Sequence, residues 1–281
     1  MSTRETRPRR FTFSLLLFLA FASTAFAQQA SQAAQPAPNL DYQTGATLFM
    51  QKAAEYRALA YQAFNWARIR LDADLDKKNV KKLPKAEQKR PRAIIVDIDE
   101  TVLDNSPAQA YGIRNNAPFD LKNWYTWSDM RKAKAIPGAV DFLNYAVSKG
   151  VKIFYISNRD EIQKQSTIDN LKAVGFTDIG PENVLLRDKE SAKEPRRLAV
   201  AAKYRIVLLV GDNLDDFSNV FERKSVSDRF AETDKLRGEW GGRFIVLPNA
   251  MYGTWENAIY NYERLTEAQK AERRAKALEL P

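Results

Sequence analysis

The 281-residue chain contains no cysteine and no histidine, and those absences remove whole classes of chemistry. Without His there is no phosphohistidine intermediate and no Ser-His-Asp triad. Without Cys there is no thiolate nucleophile and no disulfide, and without either there is no His- or Cys-ligated zinc. Hydrolysis here must run on Asp, Glu, Ser, Thr, Lys, Tyr or a hard metal ion bound by oxygen. The N-terminal apolar run, residues 11–21, is too short to span a bilayer and no stop-transfer charges follow it. Preceded by Arg4, Arg7, Arg9 and Arg10 and followed by Ala25-Phe26-Ala27, it reads as a cleavable export signal over 1–27 with cleavage near Ala27. Both the general secretory route and the twin-arginine route stay open. With no Cys to carry a lipid, a periplasmic or secreted location without a stable membrane anchor is expected. Cleavage would remove four Arg and one Glu and lower the formal charge from +9 to +6. That modest excess suits small anionic substrates and does not indicate nucleic acid.

After the signal, residues 28–41 are rich in Ala, Gln and Pro and read as a disordered mature N-terminus. Residues 42–92 read as an N-terminal helix followed by a basic connector. Thr44 is the expected cap, and Phe49, Tyr56, Ala60, Ala63, Ala67 and Leu71 fall close to a 3.6 period. Between Lys77 and Arg92 eight of sixteen residues are basic and only Glu87 is acidic. Such a run is most simply a solvated connector, with a surface-docking role left open.

From residue 93 the signals alternate. Strands are expected over 93–97, 151–156, 183–186, 205–210 and 243–247; helices are expected over 137–149, up to 174 and over 191–203. Repeated strand–helix units imply an α/β fold: a three-layered, Rossmann-like parallel sheet with an aromatic-rich cap insertion and additional N- and C-terminal helices. The core is expected over 93–262 with its cap at about 105–136. A terminal helix within 263–281 carries a weak apolar stripe open to a homodimer contact.

Most strands run into a polar cluster: Asp97 with Asp99, Ser157 with Asn158, then Asp212, then Asn249. All would lie along the carboxyl edge of one sheet, where open α/β sheets bind ligands. Two acids side by side there repel unless a cation or a proton lies between them. A calcium loop starting at Asp97 is rejected, because Val102 stands where Gly is required and Ala108 where the bidentate Glu belongs. A magnesium-assisted phosphoryl transfer fits better, since Mg²⁺ takes carboxylates, carbonyls and waters in octahedral array. In that chemistry one carboxylate attacks phosphorus while a metal and a Lys neutralise oxygens. Gly211 allows a tight turn before Asp212, and Asp215 or Asp216 would orient a metal-bound water. For the Lys, both Lys189 and Lys193 stand in a charged loop, with Lys193 favoured by the Arg196-Arg197 that follow.

The segment Val96-Asp97-Ile98-Asp99-Glu100-Thr101-Val102-Leu103-Asp104-Asn105-Ser106-Pro107 resembles the first motif of the class C acid phosphatases of the haloacid-dehalogenase superfamily. The resemblance continues through Ile156-Ser157-Asn158-Arg159, Ser191-Ala192-Lys193-Glu194-Pro195-Arg196-Arg197, Val210-Gly211-Asp212-Asn213-Leu214-Asp215-Asp216-Phe217 and Leu247-Pro248-Asn249-Ala250-Met251-Tyr252-Gly253, and spans roughly residues 42–262. It implies an aspartyl-phosphate mechanism with Asp97 as nucleophile and Asp99 as general acid and base. It further implies that Ser157 binds phosphate, that Lys193 stabilises the transferring group, and that one Mg²⁺ per site is held by Asp97, Asp212 and the Asp99 carbonyl. Asp216 is then the second acid of the fourth motif, completing a metal group of Asp97, Asp99, Asp212 and Asp216. Asn158, Trp124 and Tyr252 are the expected substrate contacts. The chain departs from lipoprotein relatives in lacking the Cys that carries the lipid.

The stretch between the first two strands holds Tyr111, Phe119, Trp124, Tyr125 and Trp127. Such rings either stack on a base, worth about 1–3 kcal/mol, or form the cap's own small core. The expected function is an Mg²⁺-dependent acid phosphomonoesterase of broad specificity, with nucleoside 5′-monophosphates as candidate substrates and activity best at acidic pH. Two other readings stand beside it. One is a non-catalytic phosphate- or nucleotide-binding secreted protein, and the other a phosphotransferase using the same intermediate.

Overall fold

The computed structural model describes residues 39–281. The expected export signal and residues 28–38 lie outside the described residues. Five parallel strands form the central sheet in the order β5-β4-β1-β6-β7. They are β1 Arg92–Val96, β4 Lys152–Asp160, β5 Val184–Arg187, β6 Arg205–Gly211 and β7 Phe244–Val246. A separate two-stranded antiparallel ribbon joins β2 Leu103–Asp104 to β3 Lys134–Ala135. The segment between these two short strands, where the cap is expected, holds helices α3 Ser106–Arg114 and α4 Leu121–Met130.

The β-branched run of β1 is buried on both faces, as a central parallel strand must be. Ile94 and Val96 face one core, and Ala93 and Ile95 face the other. The larger core is closed by α2 Ala54–Leu75, α5 Ala139–Ser148 and α6 Lys164–Ala173, whose Phe64, Leu71, Phe142, Leu143 and Leu171 pack on the sheet. The smaller core lies under α7 Glu194–Lys203 and an aromatic group of Phe217, Trp240 and Phe244. Helices α8 Val226–Lys235, α9 Thr254–Ile259 and α10 Glu267–Ala277 complete the chain. Among the described residues no helix is long and apolar enough to cross a membrane.

Several element boundaries differ from the sequence expectation for local physical reasons. The single N-terminal helix expected from Thr44 is two helices, α1 Thr44–Lys52 and α2, separated where Ala53 turns extended (φ −76°, ψ 127°). Thr44 opens α1 as its first residue, and the preceding Gln43 supplies no side-chain cap. The break resets the helical phase, so Phe49 is exposed while Met50 and Phe64 are buried. Helix α5 starts at Ala139, two residues after Pro137, because Gly138 has φ 86° and cannot be helical. The connector 77–92 carries two short helical turns, Lys77–Val80 and Lys85–Gln88, and its lysines are exposed. Strand β4 does not stop at residue 156; it continues to Asp160 with a register break against β5 between Ile156 and Asp160. The irregular stretch is where Ser157, Asn158 and Arg159 leave the flat ladder, a device common beside active sites.

Candidate active site

The register of the sheet decides which acids meet. Val96 lies opposite Val210, and the Asp97 N–H donates to the Val210 carbonyl at 2.9 Å. Asp97 therefore stands beside the end of β6, where Gly211 leads into Asp212. Gly211 is required there: a Cβ on it would lie 2.4 Å from Asp216 Oδ2 and 2.5 Å from Asp216 Cβ. Its bare backbone lets the acid-bearing turn after β6 fold back against the strand end. That turn is fixed by a capping box in which the Asn213 side chain and the Asp216 carboxylate exchange backbone bonds.

Among the described residues, Asp97, Asp212 and Asp216 form a group whose ligand oxygens lie within 4.8 Å of one another. Lys193 Nζ donates to Asp97 and, at 2.6 Å, to Asp216, all three being buried. Thr101 Oγ1 donates to Asp212 at 3.1 Å, and Asn249 Nδ2 donates to the same carboxylate at 2.8 Å. Three clustered carboxylates thus have one ammonium among them, bonded to Asp97 and Asp216 but not to Asp212. Burial pushes the Asp97 carboxyl up to about 7, with Lys193 opposing and Asp216 and Asp99 reinforcing the rise. Burial, then Asp216 and Asp97, raise Asp212 well above its usual range. Burial works against the charged Lys193, but the two acids beside it outweigh that effect and raise it. The two partners thus move in the same direction: the single cation stays charged while the acids remain under-compensated. An oxygen-only donor set with surplus buried negative charge fits a hard divalent cation such as Mg²⁺.

Asp99 stands apart from that group. Its carboxylate takes a two-pronged bond from Arg159 Nε (3.0 Å) and Nη2 (2.8 Å), one from Ser157 Oγ (3.2 Å) and one from Asn105 Nδ2 (2.8 Å). Of the expected metal residues, the carboxylates of Asp97, Asp212 and Asp216 come together. For Asp99 only the main-chain carbonyl is left for that role. The next residue, Glu100, is fully buried with φ 59°, a backbone region that ordinary residues avoid. It reverses the chain so that its N–H donates to the Leu103 carbonyl at 2.9 Å.

The other expected residues divide. Ser157 is buried between Asp99 and the Arg159 N–H, which donates to its oxygen at 3.1 Å. Lys193 occupies the site while its rival Lys189 is exposed, and Asp215 is drawn away to Arg229 at 3.3 Å. Asn158 points outward, its Oδ1 accepting from Arg196 Nη2 at 2.7 Å. Trp124 lies half-buried in the cap with Arg159 5.3 Å from its ring centre and Phe119 6.4 Å away. Tyr252 packs against the larger core. Tyr111 and Phe119 are exposed and so do not form a core of the cap.

Sequence reasoning passed over Arg159 as a site residue, although a buried Arg demands anionic partners and the residue lies two after Ser157. It also passed over Thr101, in the turn between β1 and β2, as a partner of Asp212. Asn249, expected on the same sheet edge as Asp212, is its second partner.

A family model described as HAD superfamily, subfamily IIIB (Acid phosphatase) matches residues 15–255. The structure of the class C acid phosphatase from Bacillus anthracis is similar at 41% identity and a TM-score of 0.80, covering 86% of this chain and 98% of that chain. A second structure of a Bacillus anthracis class C acid phosphatase, with tungstate bound, shares 42% identity at a TM-score of 0.80, over 86% of this chain and 98% of that one. Acid phosphatase 1 of Solanum lycopersicum is 28% identical over 169 residues, 56% of this chain and 57% of that protein. The chain thus spans a little over half the length of the first curated relatives it matches.

Proposed function

Because the chain belongs to the acid phosphatases of HAD superfamily subfamily IIIB, we propose that it is an exported, Mg²⁺-dependent phosphomonoesterase working through an aspartyl-phosphate. The observation that carries the reading is the meeting of Asp97, Asp212 and Asp216 around Lys193 at one sheet edge. Asp97 is the nucleophile: its carboxylate oxygen bonds to phosphorus as the ester P–O bond breaks. Asp99, with its carboxylate held at the same edge, gives its proton to the leaving oxygen. Asp99 later takes a proton from the water that hydrolyses the acyl phosphate, returning Asp97 as a carboxylate. Lys193 opposes the burial that favours a proton on Asp97 and neutralises phosphoryl oxygens as they pass. Ser157 holds a remaining oxygen, while Arg159, its donors spent on Asp99, Ser128 and Thr167, holds the acid in place.

Asp97, Asp212, Asp216 and the Asp99 carbonyl would hold Mg²⁺, whose chemistry is to neutralise charge on the phosphoryl group and orient it for in-line attack. Nucleoside 5′-monophosphates are the favoured substrate class, supported by Trp124 on the cap beside Arg159. The test is a panel of phosphomonoesters assayed with Mg²⁺ and with chelator, on the native chain and on Asp97→Asn. Loss of turnover in the variant with its unfolding transition preserved is the expected result. Full activity in Asp97→Asn, or indifference to the chelator, would exclude this mechanism.

A further inference from the structure

Asn105 occupies the N-cap of α3, a position where Asn normally accepts a hydrogen bond from the first turn and stabilises the helix by about 1 kcal/mol. Here its side chain makes no capping bond at all. The preceding Asp104 takes over, its Oδ1 accepting from the Ser106 N–H at 2.8 Å. The freed amide is buried and spent elsewhere. Asn105 Nδ2 donates to Asp99 Oδ1 at 2.8 Å, while its Oδ1 accepts from Trp127 Nε1 at 2.8 Å and from Arg159 Nη2 at 3.4 Å. The orientation of this amide is set by chemistry. Indole N–H is only a donor and the Asp99 carboxylate an acceptor, so oxygen must face Trp127 and nitrogen must face Asp99. The backbone is pinned as well, with the Asn105 N–H donating to Glu100 Oε1 at 2.7 Å from a carboxyl that is itself fully buried.

The geometry points to a role for this residue that neither the helix nor the core explains. We propose that Asn105 is a positioning residue that fixes the Asp99 carboxylate for proton transfer and ties it to the cap through Trp127. The proposal rests on the reading of Asp99 as the general acid. Without the amide, Asp99 keeps its partners Arg159 and Ser157 but loses the third direction that stops the carboxylate pivoting. Because Trp127 lies on α4, movement of the cap reaches the acid through two hydrogen bonds. The cap thereby helps determine whether a proton is delivered, in addition to covering the site.

The discriminating measurement is leaving-group dependence. Protonation matters greatly for an alkyl phosphate and little for 2,4-dinitrophenyl phosphate, whose leaving oxygen departs as a stable anion. We expect Asn105→Ala to lower kcat/KM for an alkyl phosphate by about 100-fold, as a misplaced catalytic group does, while kcat/KM for the dinitrophenyl ester changes little. Trp127→Phe, which removes only the indole donor, should show the same selectivity to a smaller degree. Asp99→Asn serves as the reference. If it loses the alkyl ester selectively but Asn105→Ala and Trp127→Phe lose both esters equally, Asn105 is merely structural and the proposal is wrong. If Asp99→Asn itself shows no selectivity, the assignment of the acid fails instead. Should Asn105→Ala not fold, a flat loss in Trp127→Phe overturns the proposal on its own.

Discussion

Withdrawing the divalent cation should change the protein's stability in a way that depends on pH, with a sign fixed by the buried acids. In the metal-free chain burial lifts Asp97 from its ordinary 3.8 to about 7. The folded state therefore keeps a proton that the unfolded chain has already released, and metal-free stability falls as pH rises from about 4 to 7. A shift of roughly three pH units corresponds to about 4 kcal/mol lost across that window, and the curve levels above 7. A bound cation needs Asp97 ionised, so below pH 7 it must displace that proton. Its affinity then climbs about tenfold per pH unit toward 7, more steeply with Asp212 also raised. Each tenfold gain adds about 1.4 kcal/mol of linked stability, or about 3–6 °C in Tm for a domain of this size. Thermal unfolding with saturating chelator against a fixed Mg²⁺ concentration, at pH 5, 6 and 7, measures the gap directly. The gap should widen with each step, and in Asp97→Asn it should widen less steeply, with Asp212 still shedding a proton to the ion. A gap that stays constant or narrows from pH 5 to 7 would refute the placement of these acids around one ion.

Other perturbations have defined outcomes. Gly211→Ala must push its methyl into Asp216, costing about 1–3 kcal/mol by overpacking together with most phosphatase activity; an unchanged kcat would show that the turn after β6 tolerates relaxation. Phe64→Ala opens a cavity in the larger core, where Phe64 is fully buried, and should lower stability by about 3–5 kcal/mol in chemical denaturation. Trp124→Ala should raise KM for nucleotides by about 5- to 150-fold if the ring stacks on the base, equivalent to about 1–3 kcal/mol, and leave KM for phenyl phosphate nearly unchanged. Burial opposes ionisation of Asp74, but hydrogen bonds from Arg205 and Arg92 outweigh it and lower its pKa. Its contribution is thus complete above about pH 4 and vanishes as pH falls through its folded value. Asp74→Asn should cost about 1–3 kcal/mol at pH 7 and progressively less as pH falls below about 4, read by chemical denaturation across that range.

The central strands were readable because each is a dense apolar run that stops at a polar or turn-forming residue, Asp97, Ser157, Gly211 or Pro248, a contrast visible without the third dimension. The meeting of Asp97 with Asp212 followed from the same logic, since both end strands whose carboxyl edges must coincide in a parallel sheet. What escaped had no local mark. The break at Ala53 sits in a residue with high helix propensity, so neither composition nor period announces it. Polar Ser157 and Arg159 look like a loop although β4 runs through them to Asp160. Asn105 has the profile of an ordinary helix cap, and its real partners are on residues 99, 127 and 159. Asn158 sits inside a motif but turns outward toward Arg196, because adjacent strand residues face opposite sides.

Asp74, near the end of α2, grips Arg92 and Arg205, the opening residues of two neighbouring strands. A gene fragment begun at the first catalytic motif would thus discard the clasp that aligns β1 with β6, along with the wall formed by Phe64 and Leu71. The trough left behind would be greasy and exposed, and such a truncate should precipitate even with every catalytic side chain intact. For expression work the usable enzyme starts at least fifty residues upstream of its own chemistry, at about residue 40.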